Sequence, residues 1–145
     1  MVETQTLARL LNADRLTCTF TQGTAAEWRA GVPTLAPVGD RGAAIVFDQI
    51  DPVNYRARLA GGFGAAAEEI LLLRTQIGLT FVEENEAGGI HVTTVYGAGP
   101  RSSLEGSRQG SSAFIAVHSR HFVQSGGAAA APAPAQYHGL CRAGP

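Results

Sequence analysis

The densest group of chemically capable side chains is the tetrapeptide His118-Ser119-Arg120-His121. Histidine can act as a metal ligand or a general base, and arginine binds carboxylate and phosphate groups in a bidentate geometry. In a β-strand, residues three apart point to opposite faces, so His118 and His121 would not bind one metal ion together. His118 and Arg120 would share a face, which makes that face the candidate catalytic or anion-binding site. The alternative is a polar barrel rim in which Arg120 pairs with one of three acidic residues, namely Asp48, Glu83 or Glu84.

A second candidate is the glycine pattern Gly62-x-Gly64-x-x-Ala67, which is similar to the dinucleotide-binding fingerprint. In such sites the glycines let a pyrophosphate approach the start of a helix, and an acidic residue such as Glu83 binds the ribose. The preceding segment, Asn54–Leu59, carries two arginines, whereas a central parallel strand is apolar on both faces. A dinucleotide-binding fragment therefore stays one alternative, and the sequence otherwise predicts no cofactor.

Other motifs lack parts that their chemistry requires. Ser119 has no flanking glycines of a nucleophile elbow, and Gly97–Ser103 lacks the Lys-Ser/Thr pair of a phosphate loop. The glutamates have no spacing that defines the paired acid and base of a glycosidase. The sequence identifies no metal site, and it favours a protein that is not an enzyme.

The two cysteines lie in the first and last predicted strands. A bond between Cys18 and Cys141 would tie the chain ends together and stabilise the fold by about 5 kcal/mol in the chain-entropy model. Such a bond persists only in an oxidising compartment. The alternative is two buried free thiols. In either case we expect the two residues to be close in space because their strands pair.

The elements that position these residues are indicated by a two-residue alternation of apolar and polar side chains. Residues 65–75 are ambiguous, since Ala and Glu favour a helix whereas Ile70–Leu73 suits a buried strand, and the short flanking turns favour a strand from about Glu69. The predicted strands are Leu16–Thr21, Ala43–Gln49, Asn54–Leu59, Glu69–Thr75, Leu79–Glu84, Ile90–Tyr96, Ala113–Phe122 and Gln136–Cys141.

Between these strands, Gly23–Gly42 is interpreted as a Gly/Pro-rich connection, Gly97–Gly110 as a long exposed loop, and Ser125–Pro134 as a flexible excursion. Residues 1–14 form an N-terminal arm or short helix, because their leucines have helical spacing. Residues 15–145 form a single β domain.

The fold class is therefore mainly all-β, a small antiparallel barrel or sandwich of about eight strands. Pairing of the first and last strands would close the sheet and leave no edge. The strand alternation predicts that four phenylalanines face the core, namely Phe20, Phe47, Phe81 and Phe114.

Several segments carry aromatic and turn signals, namely Leu16–Phe20, Trp28, Gly78–Glu83, Thr93–Tyr96, Ala116–His121 and Gln136–Cys141. Together they resemble a family of small bacterial proteins of unknown function, with two cysteines and a β-rich domain that ends in Gln-Tyr-x-Gly-x-Cys. The resemblance covers residues 16–142. It implies one domain framed by the cysteines, with a strand in residues 65–75, and it implies no activity.

Composition limits the partners and the location. The chain has 145 residues, 45% of them hydrophobic and 16% charged, which indicates one globular domain. A formal net charge of −1 without a basic cluster predicts no nucleic-acid partner. No apolar stretch approaches the roughly 20 residues of a membrane span. With no secretory signal visible, we expect a cytoplasmic protein by default, or an extracytoplasmic one if Cys18 and Cys141 are bonded.

Three classes of function remain. The first, which we favour, is a non-catalytic barrel that binds a small molecule or a protein. The second is a small barrel enzyme or metal protein that uses His118, Arg120 and His91. The third is a structural subunit of an assembly, in which residues 125–135 become ordered, so a homo-oligomer is one alternative.

Overall fold

The computed structural model describes residues 2–39, 42–61, 67–84, 88–99, 113–121, 123–124 and 131–144. The described elements are one helix and eleven strands. In chain order they are α1 (Val2–Leu11), β1 (Arg15–Arg29), β2 (Val32–Val38), β3 (Ile45–Asp51), β4 (Arg56–Gly61), β5 (Glu68–Arg74), β6 (Gly78–Glu84), β7 (Ile90–Tyr96), β8 (Ala113–His121), β9 (Val123–Gln124), β10 (Ala131–Pro132) and β11 (Ala135–Ala143).

Eight of the described strands form a closed antiparallel barrel, in the order β1, β3, β4, β5, β6, β7, β8 and β11. The barrel closes because β11 pairs with β1, from Leu16 opposite Ala143 to Ala25 opposite Ala135. Strand β2 extends the sheet beyond β1, and β9 and β10 pair separately. The predicted fold class is confirmed, and of its two forms the structure is a barrel. The ambiguous segment at residues 65–75 contains strand β5, as predicted.

Strand β1 shows how the sequence alternation produces the barrel wall. Leu16, Cys18 and Phe20 are buried, whereas Thr17 and Thr19 lie on the outer face. Apolar side chains on one face of the strand leave water on folding, and β-branched threonines suit the outer surface of a pleated sheet.

The four phenylalanines predicted to face the core all do so. Phe20, Phe47, Phe81 and Phe114 have 3%, 2%, 1% and 0% of their surface exposed, respectively. The rings of Phe47 and Phe81 stack across the interior, with their centroids 4.0 Å apart. The barrel interior is therefore a packed core around Phe47 and Phe81.

Helix α1 packs against β6, so of the two predicted forms of the N-terminal segment, an arm or a short helix, the structure has the helix. Its Leu10 is fully buried in the core. A Cβ added to Gly97 would lie 2.6 Å from Leu7 Cδ1, so α1 docks where β7 finishes. We call this end of the barrel the helix end and the opposite end the arm end.

One predicted connection is wrong in part. The sequence predicts a Gly/Pro-rich connection at Gly23–Gly42, but β1 continues to Arg29 and turns into β2. The turn residues Ala30 and Gly31 have φ values of 52° and 78°, as a two-residue type I′ hairpin requires. The hairpin leaves the barrel wall and is exposed on both faces, so no apolar alternation marks it in the sequence. Similarly, residues 131–132 of the predicted excursion form β10 and pair with β9.

The seam between β1 and β11 requires a close approach of the two backbones. A register shift occurs between Phe20 and Gln22. On the facing strand, a Cβ at Gly139 would overlap the Thr19 carbonyl oxygen and lie 2.7 Å from Phe20 Cα. Only glycine fits there, so the closure depends on this residue.

The β3–β4 pair carries a bidentate ion pair. Arg58 donates hydrogen bonds to both carboxylate oxygens of Asp48, at 2.7 and 2.6 Å. The hydrogen bonding from Arg58, followed by its charge, holds the pKa of Asp48 below its ordinary value of 3.8 despite partial desolvation. Asp48 is therefore the partner of Arg58, and the predicted alternative of an Asp48–Arg120 pair is wrong.

Because the folded pKa of Asp48 is lowered, its stabilising contribution is complete above the unfolded pKa and disappears as the pH falls through the folded one. We expect Asp48→Asn to lower the free energy of unfolding by about 1 kcal/mol at neutral pH. In strongly acidic solution the two proteins should be equally stable. Urea unfolding across this pH range measures the difference. The control is Glu27→Gln, which removes an ion pair whose side chains are 80% and 72% exposed and should have no measurable effect. A difference that grows on acidification would contradict this assignment.

Within the described residues, no helix combines the length and the hydrophobicity that crossing a membrane requires.

Candidate functional site

Polar side chains from four neighbouring strands converge inside the barrel towards the arm end. They lie in two rows set by strand register. The inner row passes from Phe81 through Thr93 and His118 to Tyr137, and the outer row from Glu83 through His91 to Arg120. We call the six polar members the interior polar cluster, namely Glu83, His91, Thr93, His118, Arg120 and Tyr137.

His118 is the centre of the inner row. It is fully buried, and its Nδ1 lies 2.8 Å from the Thr93 hydroxyl on the next strand. Its ring centroid is 5.4 Å from that of Phe20 and 6.2 Å from that of Tyr137. Aromatic packing and the hydrogen bond to Thr93 therefore help to hold the imidazole in place.

Arg120 lies in the outer row, one row nearer the arm end than His118. Its guanidinium carbon is 5.5 Å from the centre of the Tyr137 ring, which is within the range of a cation–π contact. The contact places the charged group on the interior side of the wall, where the side chain is only partly exposed. A planar guanidinium held against a ring is preorganised for bidentate binding of a carboxylate or phosphate.

Glu83 and His91 occupy directly opposed positions on β6 and β7. Glu83 is 7% exposed and His91 is partly exposed. The ring of His91 stacks on that of His118, with centroids 5.5 Å apart. The outer row thus juxtaposes a carboxylate, an imidazole and a guanidinium on three adjacent strands, a set that can bind an anion or exchange a proton.

The structure places the sequence candidates at different positions. His118 and Arg120 share the interior face, as their two-residue spacing predicts, and His121 lies exposed on the outside. His118 is completely buried, so it does not form a polar rim. Thr93 and Tyr137 are not among the residues that the sequence singles out. Register explains both, since each is directly opposite His118 on a neighbouring strand.

The glycine pattern falls largely outside the described residues, which exclude Gly62 and Gly64 but include Ala67. Directly after Ala67 the chain forms β5, antiparallel to β4. In the described residues there is consequently no helix after the pattern whose N-terminus could bind a pyrophosphate.

A surface cavity of about 450 Å³ lies over β3, β4 and β5. Its two arginines are neutralised, because Arg58 binds Asp48 and Arg56 lies within 4 Å of Asp51 and Glu69. The cavity therefore offers no net positive charge to an anion. Across the described residues, no group of three or more His, Cys, Asp or Glu side chains could hold a metal ion.

No known protein family, no curated protein sequence and no solved structure matches this chain. The resemblance based on sequence segments accordingly stays a prediction, and the function has to be argued from the site.

Proposed function

We propose that the protein is a non-catalytic binding module, which holds a small anionic ligand at the arm end of the barrel through Arg120 and His91. The observation behind the proposal is the change of polarity along the barrel interior. The row next to the inner row on the side of the helix end consists, on β6, β7 and β8, of Leu79, Val95 and Ala116. All three are buried and apolar. In the outer row, two rows nearer the arm end, the same three strands carry Glu83, His91 and Arg120.

Such a change of polarity has an energetic cost. Burying ionisable groups requires their desolvation, and apolar residues of similar volume are often equally or more stabilising. Leu79, Val95 and Ala116 show that this wall accepts apolar side chains. A ligand that bound these charged groups would offset the cost of their desolvation.

Arg120 defines the class of ligand. A guanidinium accepts no hydrogen bonds and donates up to five, so it selects carboxylate and phosphate groups. Its position beside Tyr137 also provides an aromatic surface for the apolar part of a ligand. A small carboxylic acid suits both features.

Binding is favoured over catalysis by the position of the best candidate for a general base. His118 is fully buried, so a substrate cannot reach it in this arrangement. The alternative of a small barrel enzyme would depend on Glu83 and His91, which are opposed in register and lie nearer the arm end.

The test is titration with acetate, benzoate, succinate and inorganic phosphate, followed by the backbone amide signals in NMR spectra. We expect at least one anion to shift the amides of residues 91 and 120, whereas acetamide, the uncharged analogue of acetate, shifts neither. Arg120→Gln should weaken binding about tenfold to a hundredfold, because a hydrogen bond to a charged group contributes about 1.5–3 kcal/mol.

The matched control is His121→Gln, which changes an exposed residue on the outer face of the same strand and should bind as the wild type does. His91→Gln provides a second interior variant, and amide spectra of each variant verify that it is folded. The proposal is wrong if no anion shifts these amides, or if Arg120→Gln and His121→Gln bind equally well.

For the compartment, we propose a location outside the cytoplasm. Cys18 and Cys141 are directly opposite each other and form a disulfide bond. Structural disulfides persist in oxidising compartments, which supports this location over the cytoplasmic default. Alkylation of free thiols at lysis records the redox state of both cysteines in intact cells. Bonded cysteines would support the location outside the cytoplasm, and free thiols would support the cytoplasmic default.

A further inference from the structure

The outer row contains a carboxylate that a simple anionic ligand does not use. Glu83 faces the interior of the barrel from β6, in alternation with Val82 and Glu84 on the outer face, and it is 7% exposed. An acidic side chain therefore lies in the same row and on the same interior face as Arg120 and His91, the two residues proposed to bind the anion.

Glu83 and Arg120 are separated by one strand. Glu83 is directly opposite His91 on β7, and His91 is directly opposite Arg120 on β8. Since adjacent strands are about 4.8 Å apart, the backbones of Glu83 and Arg120 are roughly 10 Å apart. In the β3–β4 pair, by contrast, Asp48 and Arg58 are directly opposed and bond to each other at 2.6 and 2.7 Å. The outer row instead carries its carboxylate and its guanidinium on the two strands that flank β7, a spacing that suits a ligand with two opposite charges.

The inner row closes the site on the side of the helix end. Its four side chains, those of Phe81, Thr93, His118 and Tyr137, are all buried. A ligand in this arrangement therefore contacts the outer row and approaches from the arm end. One row corresponds to two residues, or about 7 Å along the strands, so the ligand that the barrel encloses is a small molecule.

Charge distinguishes between a simple anion and a zwitterion as the ligand. A ligand that carries only a carboxylate is attracted by Arg120 and repelled by Glu83, and both effects are stronger inside a barrel than in water because the effective dielectric constant is lower. A ligand that also carries an ammonium group is attracted by both residues. We propose, on the basis of the proposed anion site, that its ligand is a small amino acid, whose carboxylate binds Arg120 and His91 and whose ammonium group binds Glu83.

Each end of such a ligand meets a complementary group. A guanidinium only donates hydrogen bonds, which matches a carboxylate, and an ionised carboxylate only accepts them, which matches the N–H groups of an ammonium. Hydrogen bonds between charged partners are also shorter and stronger than neutral ones. Arg120 accordingly supplies the binding that all small carboxylates share, and Glu83 determines the preference for those with an amino group.

Pairs of ligands that differ in one group test the proposal on the wild-type protein. Glycine is compared with glycolate, β-alanine with 3-hydroxypropionate, and 4-aminobutyrate with 4-hydroxybutyrate, so that a hydroxyl replaces the ammonium at constant chain length. At least one amino acid should bind tenfold or more tightly than its hydroxy acid, because it adds a hydrogen bond between charged groups. NMR titration should show shifts of the amides of residues 83, 91 and 120. Methylamine, which lacks a carboxylate, should bind at least tenfold more weakly than that amino acid.

Glu83→Gln preserves the size of the side chain and removes its charge. It should weaken binding of that amino acid at least tenfold and should not weaken binding of its hydroxy acid. Glu84→Gln is the matched control, because Glu84 is exposed on the outer face of the same strand, and it should bind both ligands as the wild type does. Circular dichroism spectra verify that both variants fold.

The proposal is overturned if every hydroxy acid binds as tightly as its amino acid, in which case the anion site stands with a simple carboxylate as its ligand. It is also overturned if Glu83→Gln strengthens the binding of both ligands alike, because Glu83 would then act as an internal counter-ion of Arg120. If none of these ligands and none of the anions named above shifts the amides, the proposed anion site is itself wrong. The ligand pairs use only the wild type, so this comparison does not depend on the folding of a variant.

Discussion

Replacing both Cys18 and Cys141 with alanine is expected to lower the free energy of unfolding by about 5 kcal/mol. The cysteines are 123 positions apart in sequence, so their bond closes a loop that includes most of the chain. Without it, the unfolded chain gains the entropy of that open loop. The affected strands, β1 and β11, form the pair that closes the barrel, so the double alanine variant has to form this long-range pairing without a covalent link.

Urea unfolding of the oxidised wild type and the double variant measures this loss. The matched control is Thr19→Ala with Leu140→Ala, which alters the adjacent cross-strand pair on the outside of the same seam. We expect the control to lose much less stability than the double cysteine variant. A loss below about 1 kcal/mol on removal of the cysteines would show that the bond contributes little. Because both cysteines are 0% exposed, a reductant should open the bond quickly only in urea.

The second large effect is expected from the stacked phenylalanines in the centre of the barrel. Phe47→Ala or Phe81→Ala should each lower the free energy of unfolding by about 3–5 kcal/mol, since the neighbouring strands cannot collapse into the cavity. Because the two rings are in contact, the double variant should lose less than the sum of the single losses, by roughly 0.5–1.5 kcal/mol.

Denaturant unfolding of the two single variants and the double variant completes this cycle. Leu71→Ala is the control, because Leu71 lies in the same barrel wall but is 47% exposed on its outer face. It should cost well under half as much as either phenylalanine. Losses below 1 kcal/mol at both phenylalanines would mean that the interior repacks freely, and the assignment of the faces would be wrong.

Much of the barrel could be predicted because its walls separate water from a packed interior. In β1, Leu16 and Phe20 must face inward and Thr17 outward, and that requirement appears in the sequence as a two-residue alternation. The same alternation predicted that His118 and Arg120 share a face. It predicted the proximity of Cys18 and Cys141 only through the additional assumption that the sheet closes.

The hairpin beyond the barrel could not be predicted in this way. Both of its faces contact water, so burial imposes no alternation on it. Pro33 and Pro37 indicate irregular structure when read locally, and they are compatible with a strand because, among the described strands, none pairs with its outer edge. That edge is a property of the assembled sheet.

The interior polar cluster likewise combines features that the sequence predicts with features that only the assembled fold determines. The sequence by itself determined which side of each strand faces inward, because side-chain direction follows from a local period of two residues. Only the tertiary structure decided that Thr93 and Tyr137 lie opposite His118, and that Glu83 and Arg120 lie on either side of His91. Strand register results from turns, a bulge and the closure of the barrel acting together, and no segment of the chain contains that information alone.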